Sequence, residues 1–505
     1  MVIKVTFNEA VNVNKAVTIV GTGEIEPFTD PITIGATQAP GTWYTDRYAP
    51  GVFENSTFLG EPVLLHGVRA VDLQPTPFYN TQGRKFDIGL TGPTQLISID
   101  MFVGEDWGTK TRYSGLWATG FDILDEISAY PILAWRNNEG DGPGFFAYDY
   151  NAGAWLKLRD AVPQDYGKWH TFEIELTVGT GVKYFVDGES LLTFADADTV
   201  SFGNVILNVK NFGEDYDVYW DNFAAHDTKV IGQMSINASD VAIKGLILSN
   251  PGQAYGMLID DLASNIDITE NIFVDIGSPT LAQNVKGVYL QYGPDDVFIK
   301  DNLFERIHAN TNSVNAIFSG DSNSTSPAEL LEIRDNRFLN ITSQTKGGYG
   351  ILLNNGACNP GAIIDGNRFS GIRGGWTHAI GLEGPTANAV VTGNTFYNLT
   401  ALSPDNLAVL FEDNPVGDSV EVSGNRFQNV GYGVGVNPDD ITAYNYTVDA
   451  TLNYWGSPCG PAAGVANVGP NVTYNPFYTT VELTTTGAGF SGSYTFPSGS
   501  TTEFM

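Results

Sequence analysis

Cysteine is almost absent. Cys358 and Cys459 are the only two in 505 residues, so no disulfide framework holds this chain together, and both thiols are expected to be unpaired. Positive charge is scarce too. Lys and Arg total 25 against 57 Asp and Glu, a formal net charge of -32. Phosphate-rich partners need clustered cations, so nucleic acid and anionic membranes are disfavoured. An unassisted grip on uronate polymers is disfavoured for the same reason, unless bound Ca²⁺ reverses the local charge. No apolar run reaches the ~18 residues of a membrane span. Met1 to Glu9 lacks the apolar stretch of a signal peptide, so either a leader is missing from this chain or export takes another route. The five histidines (His66, His170, His226, His308, His378) show no metal-ligand spacing, and no Ser-His-Asp or phosphate-loop signature is present.

What the chain has in abundance is a repeat. An Asn is followed two residues later by an aromatic at Asn271/Phe273, Asn302/Phe304, Asn336/Phe338, Asn367/Phe369, Asn394/Phe396, Asn425/Phe427 and Asn453/Trp455. The steps between these Asn residues are 31, 34, 31, 27, 31 and 28. A period of this size marks a stacked architecture in which each unit buries its apolar face against its neighbours. Upstream of each Asn sit two same-parity, mostly apolar residues, such as Ile266/Ile268 and Leu331/Ile333, which point inward from a strand. The Asn itself suits a bend, and stacked Asn amides can satisfy one another along the axis.

A second strand per repeat starts at a small residue: Gly256, Gly287, Ala316, Gly350, Ala379, Ala408 and Gly433. Positions one and three later are apolar apart from Ser319 and face in. By parity, positions two and four later face out. The first outward column is Leu258, Tyr289, Phe318, Leu352, Gly381, Leu410 and Gly435. The second is Asp260, Gln291, Gly320, Asn354, Glu383, Glu412 and Asn437.

The chain divides into four zones: 1–38 as cap and first rung, 39–228 as an insert, 229–480 as the repeat, and 481–505 as a Ser/Thr/Gly-rich tail. The insert holds seven of the nine Trp and strands of alternating polarity such as Leu96–Val103, which imply antiparallel pairing with one buried face. N-x-S/T sequons at Asn55, Asn237, Asn323, Asn340, Asn398, Asn445 and Asn471 favour an extracellular or cell-surface location.

The copies Asp301-Asn302-Leu303-Phe304 and Asp335-Asn336-Arg337-Phe338, and the ending Asp449 to Ser457, resemble the right-handed parallel β-helix proteins of the pectate-lyase-like superfamily. The insert, with Gly167-Lys168-Trp169-His170, Val186-Asp187-Gly188-Glu189 and Tyr219-Trp220-Asp221-Asn222-Phe223, is similar to a concanavalin-like (laminin-G-type) jelly roll. These resemblances imply an all-β chain, a right-handed parallel β-helix with an inserted antiparallel β-sandwich (jelly roll). The jelly-roll likeness also implies a polysaccharide or glycan partner. The Gly-His-Gly and Arg-x-Lys motifs of polygalacturonases are absent. Pectate lyases pair Ca²⁺-binding carboxylates with an Arg or Lys base, and none of Lys300, Arg306, Arg334, Arg337, Arg368, Arg373 and Arg426 is visibly matched to an acid cluster.

The candidate residues follow. Trp107, Trp117, Trp135 and Trp155 are candidates for stacking on sugar rings, although a jelly-roll core needs large residues as well. Glu383 and Glu412, on adjacent rungs, are the candidate catalytic carboxylates of a polysaccharide lyase or glycoside hydrolase. Leu258, Tyr289, Phe318, Leu352 and Leu410 form a candidate interface for a homo-oligomer or filament. Acidic loops at Glu105/Asp106, Glu139/Asp141, Glu214/Asp215/Asp217, Asp260/Asp261, Asp295/Asp296 and Asp439/Asp440 are candidate Ca²⁺ sites. The leading expectation is an extracellular, non-catalytic, carbohydrate-associated surface or adhesion protein. The alternatives are an enzyme working at Glu383/Glu412 and a structural protein assembling through the apolar stripe.

Overall fold

The computed structural model describes the chain from Thr6 to Gly487, apart from residues 138–139, 321–329, 355–360, 385, 414–418, 438–441, 444–446, 462–465, 470, 482 and 484–485. Glu139, Cys358, Asp439, Asp440 and the tail from 488 onward lie outside the described residues. Cys459 is a free, exposed thiol.

The repeats wind into a parallel β-solenoid of three sheets. Sheet I carries the ladder strands, including Ile272–Gly277, Leu303–Ala309, Arg337–Ser343 and Arg368–Ser370. Sheet II carries the strands that start from small residues, including Val285–Leu290, Val314–Ser319, Gly348–Leu353, Thr377–Glu383 and Asn406–Glu412. Sheet III carries the strands upstream of each Asn, including Asp295–Lys300 and Leu331–Arg334. The N-terminal strands Val11–Val13 and Val17–Val20 pair in parallel with Met234–Ile236 and Val241–Lys244, so the chain starts a rung, leaves it, and returns.

The ladder closes as its spacing implies. Asn271 donates from its backbone N and its Nδ2 to Asn302 Oδ1, at 2.9 and 3.1 Å. The same pair of bonds links each following Asn to the next, as far as Asn453. All of these Asn residues are fully buried. The phenylalanines stack beside them, with centroids 4.6 Å apart for Phe273/Phe304 and for Phe338/Phe369. Each bend amide, buried beyond the reach of water, thus finds its partner on the next rung.

The insert forms two eight-stranded antiparallel sheets. It begins earlier than the shift in composition at residue 39. Glu24–Glu26 pairs with Phe223–Ala225, and Phe28 and Ile32 pack into the sandwich core. The quoted motifs meet one another: His170 Nδ1 lies 2.8 Å from Asp187 Oδ2.

The alternating strand Thr94–Val103 departs from expectation, because both of its faces are buried. Ile97, Ile99, Met101 and Val103 fill the sandwich core, while Leu96 packs with Ile272 and Leu303 on the outside of sheet I. The polar positions of that second face are met by solenoid arginines. Arg337 and Arg368 both reach Asp100, at 3.1 and 2.7 Å, and Arg368 also holds Asp221 at 3.0 Å. Arg306 binds Glu173 at 2.6 Å, and Arg426 binds Glu61 at 2.9 Å. These arginines therefore do have acid partners, in the insert and far away in sequence. The docked sheet is the one containing Thr94–Val103 and Lys168–Thr177. The other sheet turns its outer face away from the solenoid.

Candidate functional site

Two faces gather chemistry. The first is the outside of sheet II. Glu383 and Glu412 are paired residues on adjacent strands, as parity placed them. Asn354 Nδ2 donates to Glu383 at 2.8 Å, and Asn437 Nδ2 to Glu412 at 2.7 Å. Burial raises the carboxyl of Glu383 above the ordinary value. Burial and the neighbouring Glu383 push Glu412 up to about 7. Two like charges this close cannot both ionise freely.

The parity rule does not hold along the whole strand. The small residue and the residue after it both face the core: Ala379 with Ile380, and Ala408 with Val409. A Cβ on Gly350 would lie 2.6 Å from Phe369 Cε1, inside the stack, so the strand bends where only a small residue fits. The residue before the bend therefore turns outward. This produces a third outward column in register, Tyr255, Lys286, Asn315, Tyr349, His378, Leu407 and Tyr432. It brings two groups to the carboxylates that strict alternation would have hidden. Tyr349 OH accepts from Trp376 Nε1 at 2.8 Å and donates to Glu383. His378 Nε2 lies 2.9 Å from Asp405 Oδ1, while its Nδ1 is buried without a hydrogen-bond partner in the protein.

The same column covers the apolar stripe. Lys286 Nζ sits 3.4 Å from the Tyr289 ring centroid and 3.8 Å from that of Phe318. Tyr289, Leu352 and Leu410 are buried within this one chain, and only Leu258 and Phe318 are half-buried. The expected exposed stripe is thus closed by the chain's own side chains.

The second face is the outside of the outer sandwich sheet. One register row crosses it: Lys85, Ile206, Trp117, Ile132, Tyr148 and Trp155. With Phe78, Tyr113, Tyr130, Arg47, Arg136 and Lys210, most of that row lines a cleft of about 350 Å³. The four candidate tryptophans separate here. Trp135 is fully buried between the sheets, and Trp107 packs beside it at 6.3 Å, so neither can meet a sugar. Strand alternation is the reason: Leu133 and Trp135 face the core, while Ile132, Ala134 and Arg136 face out. Trp117 lines the cleft but lies under Arg47, whose guanidinium carbon is 4.6 Å from its centroid. Trp155 is half-buried, with the guanidinium carbon of Arg136 4.3 Å from its centroid.

Of the acidic loops, Asp106 and Glu214 pair with Arg112 at 3.3 and 3.1 Å, Asp217 pairs with Arg69 at 2.7 Å, and Asp215 accepts from Ala70 N at 2.6 Å. Among the described residues, no group of three or more His, Cys, Asp and Glu gathers where it could hold a metal ion. Nor is any described helix long and apolar enough to cross a membrane.

No family model matches the chain, and no curated protein matches it. Among solved structures, it is similar to the cellulose-induced protein Cip1, at 10% identity and a TM-score of 0.28, over 40% of this chain and 99% of that one. It is similar to the β-glucanase of Bacillus licheniformis, at 15% identity and a TM-score of 0.26, over 41% and 97%. It is similar to the alginate lyase vAL-1 from a Chlorella virus, at 13% identity and a TM-score of 0.27, over 39% and 98%.

Proposed function

We propose that the protein binds a glycan through the outer face of its sandwich and acts, outside the cell or on its surface, as a non-catalytic adhesion or surface protein. The solenoid, read as a right-handed pectate-lyase-like β-helix, is the stalk, and the sandwich, read as a jelly roll, is the binding module. One observation carries this reading: a cleft with the half-buried Trp155, Tyr148 and the exposed Tyr130 and Phe78 stands on the sheet that faces away from the stalk. Aromatic faces beside polar groups suit the apolar faces and hydroxyls of a sugar ring. Trp155→Ala tests it by affinity electrophoresis against a polysaccharide panel. Loss of retardation with unchanged folding supports the reading; an unaltered profile, or no ligand for the wild type, overturns it.

A second reading has its own support in Glu412, held near pH 7 beside Glu383 and backed by Tyr349 and His378. A carboxylic acid protonated near neutrality next to a second carboxyl is the pair that glycoside hydrolysis uses. If Glu383→Gln and Glu412→Gln both leave reducing-end release from that panel unchanged, the enzyme reading fails.

A further inference from the structure

The sandwich cleft has a charge opposite to that of the whole chain. Asp and Glu outnumber Lys and Arg by 57 to 25, yet Arg47, Arg136 and Lys210 line the cleft and, among the described residues, no carboxylate does. Asp46, at the base of Arg47, has its side chain 8% exposed and is engaged by Lys85 at 3.2 Å and Arg47 at 3.6 Å.

The cations are held in place rather than trailing in solvent. Arg47 lies over Trp117 and, at 5.0 Å, over Phe78. Arg136 lies over Trp155 at 4.3 Å and Phe146 at 4.9 Å. Arg136 is 2% exposed and held by further contacts, whereas the half-buried Arg47 keeps an N–H edge pointing sideways, where a planar oxyanion can take two hydrogen bonds. Trp117, under Arg47 and only 7% exposed, thus presents a charge instead of a stacking surface. Trp155 and Phe78 also carry a guanidinium on one face but stay half-buried and 59% exposed, so ring surface for a sugar remains there and at Tyr130, 39% exposed.

We infer that the cleft takes an anionic polysaccharide, one bearing carboxylates or sulfates on its sugar rings. The inference rests on the glycan-binding reading and names its ligand class. It also reverses locally what overall composition suggested, since Arg47 and Lys210 supply the grip that a net charge of -32 denies the rest of the surface. The surrounding negative charge repels a polyphosphate backbone, so selectivity for a sparsely charged, ring-stacking polymer follows.

The test is isothermal titration calorimetry on the full chain with matched polymers. These are polygalacturonate against its carboxyl-reduced form, and a sulfated galactan against its desulfated form. Wild type should bind at least one charged polymer about tenfold or more tighter than its neutral counterpart in low salt. The preference should collapse in about 0.5 M NaCl, where charges are screened within a few ångströms. Lys210→Gln and Arg47→Gln should each weaken binding of the charged polymer roughly two- to fivefold, and more than they weaken binding of the neutral one. Which pair shows the preference separates carboxylate from sulfate. Equal binding of charged and neutral forms overturns the anionic inference and leaves the glycan reading standing. Binding of none of the four overturns both. Binding that survives Trp155→Ala but not Lys210→Gln keeps the anionic site and removes the ring-stacking reading.

Discussion

Arg368, one residue past a ladder asparagine, donates to Asp100 in the insert at 2.7 Å, and both side chains are almost wholly removed from solvent. The position is set by the ladder. The residue between each Asn and its aromatic points out of sheet I, and the run Ile272, Leu303, Arg337, Arg368 changes from apolar to basic along the axis. The sandwich matches that change, with Leu96 and Ala224 on the apolar part and Asp100 and Asp221 on the basic part. A buried ion pair of this kind adds little net stability over an apolar one, but it fixes orientation.

Removing one side of that contact should be costly. Arg368→Ala leaves Asp221 without its guanidinium and Asp100 with Arg337 as its one remaining cation, beside the donors of Thr171 and Asn222. Burial already holds Asp221 up at about 7 despite Arg368. A loss of about 3–5 kcal/mol is expected, read as a lower urea midpoint at pH 8. Lowering the pH to 5 should recover part of it, as the stranded Asp221 takes up a proton. A loss independent of pH would mean that Asp221 is not the group left unpaired.

The ladder should fail locally when one rung is cut. Asn336 Oδ1 accepts from Asn302 N and Nδ2 at 3.0 Å each, and its Nδ2 donates to the carbonyls of Ile299 and Arg334. Asn336→Ala strands these buried groups at a cost of about 1–3 kcal/mol each, so a total above about 3 kcal/mol is expected in chemical denaturation. Asn336→Asp keeps the acceptor but buries a charge and loses the donors, and should be no better. A cost under about 1 kcal/mol for Asn336→Ala would show that water enters the bend.

Much of this was legible in sequence, and what was not has physical reasons. The spacing of Asn336, Asn367 and Asn394 revealed the stack because a one-dimensional array repeats its contacts locally. The same parity put Glu383 beside Glu412. It could not reveal Tyr349 and His378, because the bend at Gly350 and Ala379 breaks alternation where the two-residue period assumes none. Nor could it match Arg368 to Asp100, since the partner lies 268 residues away in another fold. Trp135 and Trp155 look alike in composition. The alternation of Trp135 with Arg136 was the signal available to separate them, once one face of that strand was known to be the core.

Those two tryptophans should give opposite phenotypes. Trp135 is fully buried among Phe145, Trp107 and Tyr166, so Trp135→Ala should cost about 3–5 kcal/mol through the cavity it leaves. Trp155, near the edge of the outer sheet, should lose under about 1.5 kcal/mol on the same change and retain a native melting profile. Glycan retardation should nonetheless be weakened by about tenfold, the scale of a lost aromatic platform. Differential scanning calorimetry and affinity electrophoresis on both variants separate the effects. Equal destabilisation would place Trp155 in the fold rather than the site.

Glu412 makes stability depend on pH in a direction opposite to that of a salt-bridged acid. Its carboxyl titrates near 7 in the folded protein, against an ordinary 4.5, because of burial first and the charge of Glu383 second. Between those values the folded chain holds a proton that the unfolded chain has released. Its contribution is therefore neutral below about pH 4.5, falls as pH rises, and reaches its full cost above pH 7. Glu412→Gln removes the titration while Asn437 can still donate to the amide oxygen. Wild type and variant should match near pH 4, and the variant should be more stable by about 1–3 kcal/mol at pH 8. Glu383→Gln should shrink the wild-type decline, by deleting the neighbouring charge. Parallel stability curves for wild type and Glu412→Gln from pH 4 to 8 would mean an ordinary carboxylate at 412, and the hydrolase reading would then lose its acid.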